Sequence, residues 1–279
     1  MNKLIRAGLK RVFRIKTIYL CLAVLFLIDG FDIMKESLFP EPGRSIPDPE
    51  GYLMSAFLTM ILLTAVFITS FLGSEYQYGT LRNKIAVGHE RWQLYVGSFV
   101  VCYSAVLIMY VFVWGMTAVF GTLFLCGFKS GIKELAATGL VSFLAFTLLT
   151  ALFVLVGLCI QSKSAGSVAA VILAFLCMIT GVMTVQILSA PQFIPADSIP
   201  AQFISEYKPV PEDPTLLINP DYVEGSRRKM FEMVHKLCPA SQMLTAEEGI
   251  DAERVLIPIT ETVVLFAAGM LVFQKRDLK

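Results

Sequence analysis

The sequence predicts an all-α integral membrane protein that crosses the bilayer six times, and three observations carry that prediction. Of its 279 residues 56% are hydrophobic and only 16% charged, with a mean hydropathy of +0.70, beyond what a soluble domain sustains. The apolar residues gather into six runs, most of them long enough to cross a hydrocarbon core of about 30 Å. The basic residues collect on one of the two sides those runs define. The reading is one membrane domain over 1–279, with no fused soluble enzyme.

Each element follows in order. Residues 1–16 form a basic amphipathic helix: Lys3, Arg6, Lys10 and Arg14 repeat at spacings of three and four, and Ile5, Leu9, Val12 and Phe13 make an apolar stripe. Such a helix lies in the headgroup layer, cations toward anionic lipid. The first span is 17–34, its apolar core shortened by Asp29 and Asp32, which read best as interfacial. It is expected to be retained, because Asp29-Gly30-Phe31-Asp32 offers no small-x-small cleavage site. Spans at 52–73 and 94–125 follow. The latter, at about 32 residues or about 48 Å of helix, must tilt, project or break, with Gly115 and Gly121 as its weak points.

Two further spans cover 135–160 and 166–189. The second carries small residues at helical spacing (Ala165, Ala169 and Gly166, Ala170, Ala174), which permit close helix contact. Eight prolines from Pro191 to Pro239 mark 190–253 as a large outer loop. Within it Tyr222–Leu237 places Val223, Met230, Val234 and Leu237 on one face, predicting a short helix on the membrane or capping the bundle. The last span, 255–273, tolerates Pro258 near its outer end.

Thirteen basic residues (six before residue 17, then Arg82, Lys84, Arg91, Lys163, Lys275, Arg276 and Lys279) face only Glu75, Glu90 and Asp277 on one side. The ten on the other side fall mostly in the long loop, where the rule has little force. Both termini are therefore expected to be cytoplasmic.

Catalytic signals are sparse. There is no GxxxxGK[ST] phosphate loop, no HExxH and no GxSxG, and His89 and His235 both lie in polar segments. No Cys/His cluster points to a metal. Cys21, Cys102, Cys159 and Cys177 read as apolar packers within spans, while Cys126 and Cys238 fall on the outer side, where a pairing is conceivable. Glu261 in the last span either lines a conduit, pairs across helices, or lies in the outer headgroup layer.

The polar island Ser74–Gln93 lies between the second and third spans. Its stretch E-Y-Q-Y-G-T-L-R-N-K-I-A-V-G-H-E-R resembles the cytoplasmic signature of type-2 ABC transporter permeases of the bacitracin- and lantibiotic-exporter kind. The pattern is carried by Glu75, Gly79, Thr80, Arg82, Asn83, Lys84, Gly88 and Arg91. The order of parts is similar too: a basic elbow helix, six spans, a large last outer loop, a Pro-x-x-Gln element at Pro239–Gln242 and an ending in Phe273-Gln274-Lys275-Arg276-Asp277.

The resemblance implies a permease subunit of an exporter in a bacterial plasma membrane, with roles such as multidrug or peptide-antibiotic resistance. It implies that 74–93 is a coupling helix docking a separate ATPase subunit, which holds ATP and Mg; this chain carries no cofactor and no catalysis. The implied partners are that ATPase, a second permease (a homodimer or another chain) and membrane lipid, with no nucleic acid. The competing functions are a polytopic scaffold or sensor partner without transport, and an ion-coupled secondary carrier; no paired interrupted helices support the latter.

Overall fold

The computed structural model describes residues 1–39, 48–125, 127–195, 209–210 and 213–275. Helix α1 (Asn2–Arg14) leads into a first span of α2 (Lys16–Leu25), a π-helical turn (Phe26–Gly30) and α3 (Phe31–Leu38). Then come α4 (Pro49–Gln77), the two-turn α5 (Thr80–Ala86), α6 (Arg91–Phe124), α7 (Ile132–Cys159) and α8 (Lys163–Ser189). A small antiparallel sheet of β1 (Phe193–Pro195), β2 (Pro209–Val210) and β3 (Asp213–Ile218), in the order β1-β3-β2, adds the strands that an all-helical reading omits. The described chain closes with α9 (Gly225–Leu237), α10 (Pro239–Leu244), a 3₁₀ turn at Ala246–Glu248 and α11 (Ala252–Lys275). Six of its helical segments are long and apolar enough to cross a membrane.

Helix α4 is the axis of the bundle. It is apolar around its whole circumference, the pattern of a helix surrounded by others, and it touches α2, α6, α7 and α8. Leu53, Phe57, Met60, Ile61, Phe67, Ile68 and Leu72 are all fully buried. Phe57 stacks on Tyr110 of α6 at 5.8 Å and meets Phe146 of α7 edge-on at 5.7 Å. The Tyr110 hydroxyl donates to the Gly139 carbonyl at 2.7 Å, and that of Tyr76 to the Leu158 carbonyl at 2.7 Å. In hydrocarbon no water competes for such donors, so they link helices directly.

Of the two small-residue stripes on α8, one is used. Gly166, Ala170 and Ala174 are buried, whereas Ala165 is exposed. The stripe continues to Gly181, where an added Cβ would meet the Ala240 Cβ at 2.7 Å and the Ser241 backbone nitrogen at 2.9 Å.

Of the alternatives for the long run 94–125, the break does not occur: α6 is one continuous helix through Gly115 and Gly121, and Gly121 gives room to Pro49. The irregularity lies in the first span, at the π turn. There Asp29 is buried among its neighbours and accepts a hydrogen bond from the Thr59 hydroxyl at 3.3 Å. The 222–237 region forms the expected short helix, α9, which packs beside α8, α10 and α11 with none of its own residues buried. Arg228 donates to the Leu188 carbonyl near the end of α8, while Cys238 Sγ lies 3.9 Å from Cys177 Sγ, eleven residues or about 16 Å along α8. Helix α10 then turns back with Ala240, Ser241, Gln242 and Met243 buried against α7 and α8. Cys238 is thus an inner residue beside Cys177. Cys126, its conceivable outer partner, lies outside the described residues, as do Arg276 and Asp277 of the closing motif.

Candidate functional site

The polar island folds as a turn, a helix and a turn. Helix α4 stops at Gln77, and Gly79 follows with φ of +63°, a left-handed conformation that most side chains resist. Thr80 donates its hydroxyl to the Glu75 carbonyl at 3.0 Å, fixing the start of α5 against the end of α4. Leu81 and Ile85, four residues apart, face the bundle, and Leu81 is 1% exposed. Gly88, with φ of +97°, supplies the second reversal before α6. Glu90 caps that helix by position and accepts a hydrogen bond from the Trp92 indole.

The eight signature residues divide into inward and outward sets. Glu75 points inward: it is 4% exposed and accepts from Arg11 Nη1 at 2.8 Å and from Lys84 Nζ at 2.9 Å. Arg11 also donates to the Ser74 hydroxyl at 2.7 Å and lies over the Phe71 ring. One carboxylate therefore joins α1, α4 and α5. Breaking a buried ion pair costs about 3–5 kcal/mol. Here the two cations keep 28% and 30% of their side-chain surface in water, which lowers the cost to about 2–3 kcal/mol. Arg91 is also spent within the chain, donating to the Gln274 carbonyl at 2.9 Å and tying the start of α6 to the end of α11.

Arg82 and Asn83 face outward with Gly79, Gly88 and the remainder of the turns. Two residues absent from the signature share this face, Tyr78 at 71% and Val87 at 81% exposed. Their signal in the sequence is position: each precedes a glycine that takes positive φ, and neither falls in the register of Leu81 and Ile85.

Helix α1 itself deepens the site. Its apolar face lies on α6, where Leu4 fits against Gly97 and Gly8 against Val101. Lys3, Arg6, Lys10 and Arg14 remain exposed.

Glu261 is remote from this cluster. It lines an open groove of ≈ 360 Å³ with Leu148 and Leu152 of α7, Leu237, Pro239 and Val264. It lies beside the middle of α7, and among the described residues its Oε2 is buried without a hydrogen-bond partner.

Residues 8–181 match the family model described as an ABC-2 family transporter protein, a stretch running from α1 into α8 that contains α5 and its two flanking turns. No curated protein matches the chain.

Proposed function

Because the chain belongs to the ABC-2 transporter family, as a multi-pass membrane permease and not a catalytic subunit, we propose that α5 docks a separate ATP-hydrolysing partner and passes its motion into the spans. The observation that carries this reading is the two-faced α5. Leu81 and Ile85 hold it to the bundle, while Arg82, Asn83, Tyr78 and Val87 project away from it.

A guanidinium presented this way forms charge-assisted bonds with a carboxylate on the partner, and the flanking apolar surfaces exclude water around them. Displacement of α5 reaches α4 and α6 directly. Through Glu75 it reaches α1, and through Arg91 it reaches α11. ATP and Mg are held by the partner. Two permease chains, identical or different, frame the path for an exported compound at a bacterial plasma membrane, with both termini on the cytoplasmic side. Glu261, a polar group facing an apolar groove, is the candidate for contact with that compound or with the second permease chain.

The test is co-purification with the ATPase encoded beside the permease, followed by hydrolysis measured in reconstituted membranes. Arg82→Ala should weaken association by about 2–5 kcal/mol, the usual cost of truncating one partner of a desolvated charge pair, while insertion stays intact. Arg91→Ala should act mainly on coupling, since its partner is Gln274. Full association and coupled hydrolysis in an Arg82→Glu variant would reduce α5 to a connecting loop.

A further inference from the structure

Beside α5, the end of α1, α2, α4 and the start of α8 enclose a cavity of ≈ 500 Å³. Its polar wall carries Arg11, Thr17, Ser70 and Lys163, and its apolar wall carries Ile15 and Tyr78, with Phe67 and Phe71 buried behind. The charge balance there is positive. Glu75 supplies one negative charge shared between Arg11 and Lys84, so that trio retains one net positive charge. Lys163 adds a second, and it forms no ion pair among the described residues.

Lys163 is held in place by its stem. Gly73 is bare where the stem crosses it: an added Cβ would come 2.7 Å from Lys163 Cα, 2.9 Å from its Cβ and 3.0 Å from its Cγ. Lys163 thus lines the cavity from the first turn of α8, where the helix dipole also favours an anion. Exposed Lys10, Arg14 and Lys16 on the adjoining α1–α2 corner raise the local potential further. A double cation with hydroxyl donors beside an apolar wall fits a phosphate oxyanion joined to an apolar body.

We infer that this cavity binds the phosphate of an anionic phospholipid headgroup, clamped by Arg11 and Lys163, with its glycerol and first methylenes against Ile15 and Tyr78. The site needs no ATPase, so it stands or falls separately from α5 docking.

Native mass spectrometry of the full purified chain in detergent tests it, with phosphatidylglycerol and phosphatidylcholine as probes and inorganic phosphate as competitor. Phosphatidylglycerol should bind saturably and phosphatidylcholine should not. Lys163→Gln, which keeps the stem against Gly73 but removes the charge, should weaken binding by about tenfold, as expected for a lost bond to a charged group. Lys163→Arg should restore it, and Thr17→Val should give a smaller loss in the same direction. Equal retention of the two lipids, or phosphatidylglycerol binding unchanged in Lys163→Gln, overturns the proposal. Inorganic phosphate binding as tightly as phosphatidylglycerol overturns the lipid assignment and makes the ligand a free phosphate.

Discussion

Mild oxidation of the purified chain with a membrane-permeant azo oxidant should join Cys177 to Cys238. Two thiols lose their hydrogens to the reagent, and one S–S bond forms. The sulfurs already lie 3.9 Å apart, so they must close by about 1.9 Å to reach the bonded distance of about 2.05 Å, within reach of side-chain rotation and a small shift of α9. The linked residues are 61 apart in sequence. Closing a loop of that length removes about 14 cal/mol/K from the unfolded chain, or about 4 kcal/mol at 25 °C. The reduced chain, with six cysteines, should take up six alkyl groups after denaturation, and the oxidised chain four. Cys177→Ser and Cys238→Ser should each abolish the change, and the oxidised form should aggregate at a higher temperature than the reduced one. A chain whose thiols all survive oxidation, or one that links Cys238 to Cys126 instead, would refute the placement of Cys238 beside Cys177 of α8.

Gly269→Ala should destabilise the bundle by about 1–3 kcal/mol. The new Cβ would fall 2.1 Å from the Tyr95 hydroxyl, and Tyr95 is fully buried among Phe266 and Phe273 and cannot yield. Gly115→Ala meets nothing within 4 Å and should be neutral or gain up to about 1 kcal/mol; thermal aggregation followed by size exclusion compares the two. Glu247 is held above its ordinary value by partial burial and then by the carboxylates of Glu50, Glu134 and Asp48. A carboxyl raised on folding costs nothing when both states are protonated, and its cost grows as pH climbs through the unfolded value and is complete above the folded one. Glu247→Gln should therefore be more stable than the parent at neutral pH and equal to it below about pH 4.

Hydropathy and charge spacing made most of this architecture legible. The six spans, the amphipathic α1 and the α9 helix all follow from local periodicity, whereas α5 is implied by the family resemblance of 74–93. What escaped depends on contacts between distant positions. The six residues of α10 carry too little periodicity to announce burial, and their place is set by the bare backbone of Gly181. Cys238 looked like a loop residue because nothing near it in sequence points to Cys177. In the site, Glu75 and Arg91 shared the charge pattern of Arg82, but their partners, Arg11 and the Gln274 carbonyl, lie 64 and 183 residues away. A charge pattern marks where polar groups are concentrated; only the fold decides which of them are already occupied.

The unbroken α6 and its contact at Gly121 have a mechanical consequence. At the end remote from α5, an added Cβ on Gly121 would come within 3.0 Å of Pro49 Cβ, so the first residue of α4 is clasped against the far part of α6. At the other end the same two helices are bridged by α5. From Gly121 to Arg91 is about 45 Å of stiff helix. A rotation of about 5° at the clasp corresponds to about 4 Å of travel where α6 leaves α5. The pair has the geometry of tongs: a displacement of a few ångströms across the handles would correspond to a change of a few degrees at the jaw. A kink anywhere along α6 would uncouple its two ends, and none is present.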